Sequence, residues 1–191
     1  KSSKVPSLYF NNNGYFLYFE ECSGITIALP TNNKRGSTQL EHWKTVEALL
    51  HKHGHKTHTI TCDGGGEYIN TETMHYWKQV KGYNLKITVP HTPQHNSRAE
   101  RKIKTIDDKC NATLCAYQLH DKYWELALLF VVFVENRILT IHLEKPPWTN
   151  LTGKVVDFSI FTMPFGTLIY VLDMGRTKSE SRKSKPGLFG G

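Results

Sequence analysis

Apolar residues along this chain change their spacing several times, and each change marks an element. After the turn signal Asn11-Asn12-Asn13-Gly14, the dense run Tyr15-Phe16-Leu17-Tyr18-Phe19 predicts a buried strand. Ile25-Thr26-Ile27-Ala28-Leu29 follows Cys22-Ser23-Gly24 and reads as its hairpin partner. Leu40, Trp43, Val46, Leu49 and Leu50 then recur at helical spacing, which predicts a helix over 37–54. Thr38 and Glu41 match a capping box, and Gly54 is placed to end the helix. Thr59-Ile60-Thr61 is β-branched and leads into a Gly-rich turn after Asp63. A shorter helix is expected over 70–81, stopped by Gly82, with Met74 and Trp77 inward. Leu85-Lys86-Ile87-Thr88-Val89 alternates as a strand.

The second half is more helical. Two prolines make 90–96 a loop, and a helix capped by Asn96 or Ser97 runs on through Ile103 and Ile106. Asp121 is expected to cap the next helix, Tyr123 to Arg137. Within it, Leu126 to Val134 is the most apolar run, bracketed by Glu125 and Glu135 and too short to span a bilayer. Strands alternating with helices predict an α/β domain. The 191 residues suffice for one such domain with a sizeable core. No internal repeat is seen, and without an apolar h-region in the first residues no signal peptide is expected, so the sequons at Asn111 and Asn150 read as chance.

Charge narrows the partners. A formal net charge of +7 suits a polyanion such as DNA or RNA. Cys22, Cys62, Cys110 and Cys115 lack CxxC spacing and read as reduced intracellular thiols rather than a disulfide framework. His51, His53, His55 and His58 cluster at a helix end, but no Cys pair accompanies them, and a solvated basic helix end is the expectation. The candidate chemistry lies elsewhere. Asp63 at a strand end and Glu100 on a helix supply the carboxylate oxygens that hard divalent cations prefer.

Two boxes carry a family resemblance. Asp63, Gly65, Glu67 and Tyr68 match D-x-G-x-E-[FY], and Thr92-Pro93-Gln94-His95-Asn96, then Ser97-Arg98, then Ala99-Glu100-Arg101 follow T-P-Q-x-N-G-V-A-E-R except at Ser97-Arg98. In these boxes the chain resembles the catalytic core of copia-type LTR-retrotransposon integrases, of the retroviral-integrase-like superfamily. Further likeness runs through 147–154, 164–171 and 185–190. The resemblance implies an RNase H-like fold, a mixed sheet of five strands flanked by helices, opening with a three-stranded antiparallel meander near Tyr15. It implies a core over 1–143 and a C-terminal extension over 144–191, with a basic mobile stretch at 174–185.

The resemblance also implies an Asp, Asp, Glu trio holding two Mg²⁺ or Mn²⁺ ions. Asp63 and Glu100 take the second and third places, and the first falls on Glu21, or Glu20 with a one-residue shift, where the family has Asp. The longer side chain strains the octahedral geometry of Mg²⁺. The activity implied is metal-dependent 3′-end processing of DNA and strand transfer. Gln94, His95, Asn96, Arg101, Lys102 and Lys104 are the expected nucleic-acid contacts, with Lys104 also open to a helix salt pair with Glu100. Element ends and target DNA are the implied partners, with a homo-oligomer as the working form and no membrane. The family's site of action is the nucleus, after a cytoplasmic particle stage. Starting without Met and ending Leu-Phe-Gly-Gly, the chain is expected to be part of a longer polyprotein. The alternative is an inactive copy that keeps the fold and binds nucleic acid.

Overall fold

The computed structural model describes residues 5–63, 70–88, 93–160, 163–172 and 184–188, with side chains omitted for 63, 88, 93–98, 160, 168–172 and 184–188. The chain opens with strands β1 (Gly14–Phe19) and β2 (Thr26–Thr31), paired antiparallel from Gly14 opposite Thr31 to Phe19 opposite Thr26. Their alternating side chains separate two layers. Tyr15, Leu17 and Ala28 face one hydrophobic cluster, whereas Tyr18, Ile27 and Leu29 face another. Gly24 makes the turn possible, because it has φ +78° and a Cβ there would stand 2.6 Å from Leu143 Cδ1.

Helix α1 (Gly36–Lys52) covers the second face with Trp43, Val46 and Leu50. Its start differs from the capping-box expectation. The N-cap is Arg35, three residues earlier, and the Thr38 hydroxyl instead donates to Asn33 Oδ1 at 2.8 Å, an oxygen that also accepts from the Arg35 N–H. Its end is as read. Gly54 has φ +82°, and the Gly54 and His55 N–H groups donate back to His51 and Leu50, the two bonds of a Schellman motif.

Strand β3 (Thr59–Asp63) pairs parallel with β4 (Asn84–Thr88), from Thr59 beside Asn84 to Asp63 beside Thr88. Between them lies α2 (Thr71–His75), capped by Asn70, whose side-chain oxygen accepts from the Thr73 N–H. It continues as a π-helical turn over Tyr76–Val80. Trp77 from that turn is 1% exposed and meets Trp43 edge-on, which locks α2 onto α1.

On the other face, α3 (Pro93–Ala116) and α4 (Trp124–Glu135) pack together through Ile106, Cys110 and Leu114 against Ala127, Leu128, Val131 and Val132. Spacing of four residues puts the α3 trio on one stripe. The apolar run of α4 is therefore core, and no described helix is long and apolar enough to cross a membrane. His120, not Asp121, provides the cap ahead of α4, its side chain accepting from the Lys122 N–H within a 3₁₀ turn. After α4, helix α5 (Pro147–Thr152) sends Leu151 into the α1-side cluster, and Phe165 enters the α3–α4 cluster. Strands β5 (Leu168–Leu172) and β6 (Ser184–Leu188) pair antiparallel, so residues 184 and 185 of the expected mobile stretch are strand. The rest of that stretch lies outside the described residues.

The strand arrangement departs from the expected single sheet. The described strands form three two-stranded sheets, β1–β2, β3–β4 and β5–β6. A third meander strand has no place before the first helix, because only residues 32–35 separate β2 from α1. Those residues form a polar turn held by Asn33, which bends the chain straight into the helix.

Candidate functional site

Asp63 closes β3 beside Thr88 at the end of β4, as a carboxylate at a strand end should. Its side chain and the following box residues, Gly65, Glu67 and Tyr68, lie outside the described residues. Glu100 is exposed on α3. Seven residues later, nearly two full turns, Asp107 accepts a 2.8 Å hydrogen bond from the Tyr15 hydroxyl of β1. Residues seven apart share a helix face within about 20°, so Glu100 lies on the side of α3 that meets β1. Burial, and then the bond to Asp107, hold the Tyr15 hydroxyl far above its ordinary pKa, so it stays a donor.

The start of α3 differs from the sequence reading. The helix begins at Pro93, the first-turn position proline tolerates best, rather than after Asn96. Gln94, His95 and Asn96 thus belong to the first turn, with side chains outside the described set, and residues 89–92 of the expected loop also lie outside it.

Of the two candidates for the first carboxylate, Glu20 is committed to the hairpin. It accepts from the N–H groups of Cys22 and Ser23, at 2.8 and 2.7 Å, and from the Ser23 hydroxyl. Burial raises its pKa, but these bonds and nearby His55 outweigh that, and the net shift is downward. Glu21 follows on the exposed turn. This turn lies by the loop ahead of β3, where Glu20 stands 3.9 Å from His55 Nδ1, four residues before Thr59. Asp63 ends the same strand, four residues and about 13 Å further along at 3.3 Å per residue. Among the described residues, which do not include the Asp63 carboxylate, no three His, Cys, Asp or Glu groups converge to hold a metal.

The cations on α3 divide. Arg101 and Lys104 are exposed. Lys102, expected on DNA, instead lies 3.3 Å from Glu135 and 5.7 Å from the centre of the Phe19 ring. Glu135 also takes the Lys109 ammonium, seven residues along the same face of α3. Burial raises the Glu135 pKa, yet the two lysines outweigh it and the carboxyl stays ionised below its usual range. The sequence marked Glu135 only as the polar end of an apolar run; its signal was the pair of lysines at that spacing. Asn136, next to it, was also missed. Its amide accepts from the Thr26 N–H at 2.9 Å and donates to the Thr26 carbonyl at 2.7 Å, sealing one edge of β2 as a strand would.

Comparison with known proteins agrees with this architecture. No family model matches the chain. A retrovirus-related Pol polyprotein from transposon TNT 1-94 of Nicotiana tabacum is 33% identical over 142 residues, covering 71% of this chain and 10% of that protein. One from transposon RE1 of Arabidopsis thaliana is 29% identical over 168 residues, covering 86% and 11%. The chain thus spans about a tenth of the length of these relatives. The HTLV-2 integrase catalytic core domain, solved in complex with magnesium in a trimeric form, superposes with a TM-score of 0.55 at 14% identity, over 78% of this chain and 99% of that one. The BIV integrase catalytic core domain gives 0.53 at 14%, over 76% and 88%. A chain of a simian T-cell lymphotropic virus intasome gives 0.60 at 16%, over 98% and 69%. Such distant neighbours fix the fold as RNase H-like α/β, and with the similarity to the plant Pol polyproteins they make this chain an integrase-like core.

Proposed function

We propose that the chain is the core of a retrotransposon integrase that processes DNA 3′ ends and transfers them into target DNA, using divalent metal. The observation that carries the reading is Asp63 at the end of a parallel strand pair with Glu100 on the exposed, β1-facing side of α3, in a fold shared with integrase cores. Two carboxylates, one at a strand end and one solvent-accessible on a helix, fit a hard cation that prefers oxygen donors. Such an ion, Mg²⁺ or Mn²⁺ and in pairs in the two-metal arrangement, supplies Lewis-acid activation of an oxygen nucleophile and of the leaving oxygen. Glu20 does not fit, because its oxygens already serve the hairpin turn. Glu21 remains the proposed first ligand. It is the least supported of the three, and the proposal rests on Asp63 and Glu100.

The chain's own cations would hold the DNA. Arg101 and Lys104 flank Glu100 from exposed positions and would contact phosphates without reading sequence. Gln94, His95 and Asn96, in the first turn of α3, are proposed to meet the DNA end. DNA ends and target DNA are the proposed partners, in a homo-oligomer, with the core over 1–143 and the extension over 144–191. The nucleus is the proposed site of action.

The test is a labelled DNA-end assay with Mg²⁺ and with Mn²⁺. Nicking or strand transfer by the unaltered protein, abolished in Glu100→Gln, is expected. A folded protein that binds DNA and yields no product with either metal would replace this reading with that of an inactive copy.

A further inference from the structure

An open cavity of about 440 Å³ lies away from Asp63, where α1 ends and both β3 and β4 begin. It is lined by His51 of α1, by His55, Lys56 and His58 of the following loop, and by Lys81 and Tyr83 ahead of β4, with Glu47 at its margin. Two of these charges are already spoken for. Lys81 Nζ lies 2.9 Å from Glu47, and His55 stands near Glu20. Among the described residues, no carboxylate is in ion-pair range of His51, Lys56 or His58. All three are exposed, so they open to a ligand rather than to the core.

The chemistry of those three groups selects the ligand class. Several imidazoles invite a metal ion, but no set of three metal-ligating side chains converges among the described residues. An ammonium and imidazole N–H groups around one cavity are donors, and a phosphate offers several acceptor oxygens with negative charge. The Lys81–Glu47 pair is neutral as a unit and leaves the balance of the cavity positive.

We propose that this cavity binds a phosphate group, carried by free phosphate or by a nucleic-acid strand. Lys56 supplies the charge, and His51 and His58 supply further donors. The site stands apart from the proposed integrase chemistry, since it is at the opposite end of β3 from Asp63 and needs no metal.

The experiment is a backbone-amide NMR titration of the whole chain, with inorganic phosphate in one arm and a short DNA duplex in the other. Saturable shifts at residues 51–58 and 81–83 are expected, confined to them in the phosphate arm, and the arm in which those residues saturate at lower concentration identifies the source of the phosphate. The double variant Lys56→Glu, His58→Ala, at exposed positions, should weaken the binding read at those residues about tenfold or more. Absence of saturable shifts at these residues in both arms, or shifts there that survive the double substitution in a folded protein, overturns the proposal.

Discussion

Two buried carboxylates hold the two helical layers in place, and they do it differently. Glu47 is 4% exposed on α1 and takes three donors, the hydroxyls of Tyr76 and Tyr83 and the ammonium of Lys81. Glu135 is 6% exposed at the end of α4 and takes two ammonium groups, Lys102 and Lys109, and no phenol. In both, burial raises the pKa and the surrounding donors bring it down, so both stay charged. Glu47 carries one cation and a neutral, mostly hydrogen-bonded shell. Glu135 carries two cations, and the Lys109 side chain is 47% exposed to water. Hydrogen bonds from fixed phenols rigidify, whereas long lysines near solvent pay in side-chain entropy and are screened. The α1–β4 joint is therefore the stiffer, and the α3–α4 joint, which carries Glu100, is the more adjustable.

Stability is the sharpest way to break this contrast. Glu47→Ala leaves two phenols and an ammonium without their acceptor and should cost about 3–5 kcal/mol. Glu135→Ala frees two lysines that can reach water and should cost about 1–2 kcal/mol. Urea unfolding monitored by tryptophan fluorescence ranks them, and equal or inverted losses would end the comparison.

Acid sharpens it with a smaller effect. Because each carboxyl titrates lower in the fold than its ordinary value near 4.5, the unfolded chain binds the proton more readily. The stability each supplies is complete above that ordinary value and is lost as pH falls through the lowered folded value. Glu47→Gln and Glu135→Gln should each flatten the fall in unfolding free energy below about pH 4.5. A variant that keeps the full acid slope shows that its carboxylate was not titrating there.

The smallest expected difference separates neighbours on α3. Lys104→Glu should weaken binding to any DNA and lower the salt slope by about one unit or more, because a phosphate contact releases a counterion. Lys102→Ala, with its ammonium already on Glu135, should leave the slope nearly unchanged. Equal slopes in filter-binding titrations would mean that Lys102 leaves Glu135 for DNA.

Much of this was written in the order of residues. The aromatic alternation of 15–19, the stripe from Leu40 to Leu50, the Asn70 cap and Gly54 act over one or two turns, so local spacing determines β1, α1 and α2 without help from distant chain. The same holds for the two boxes around Asp63 and Glu100, which carry the likeness to integrase cores. Where strands join, which carboxylates are free and which cations are spent depend on partners far apart in sequence. Only packing could show that Glu20 is consumed by its own hairpin and stands beside His55. Only packing could show that Lys102 answers to Glu135, 33 residues away, because a salt pair across two helices leaves no period in the chain. Short-range geometry is fixed by spacing, whereas the choice among several equally basic or acidic side chains is made by burial, which belongs to the folded whole.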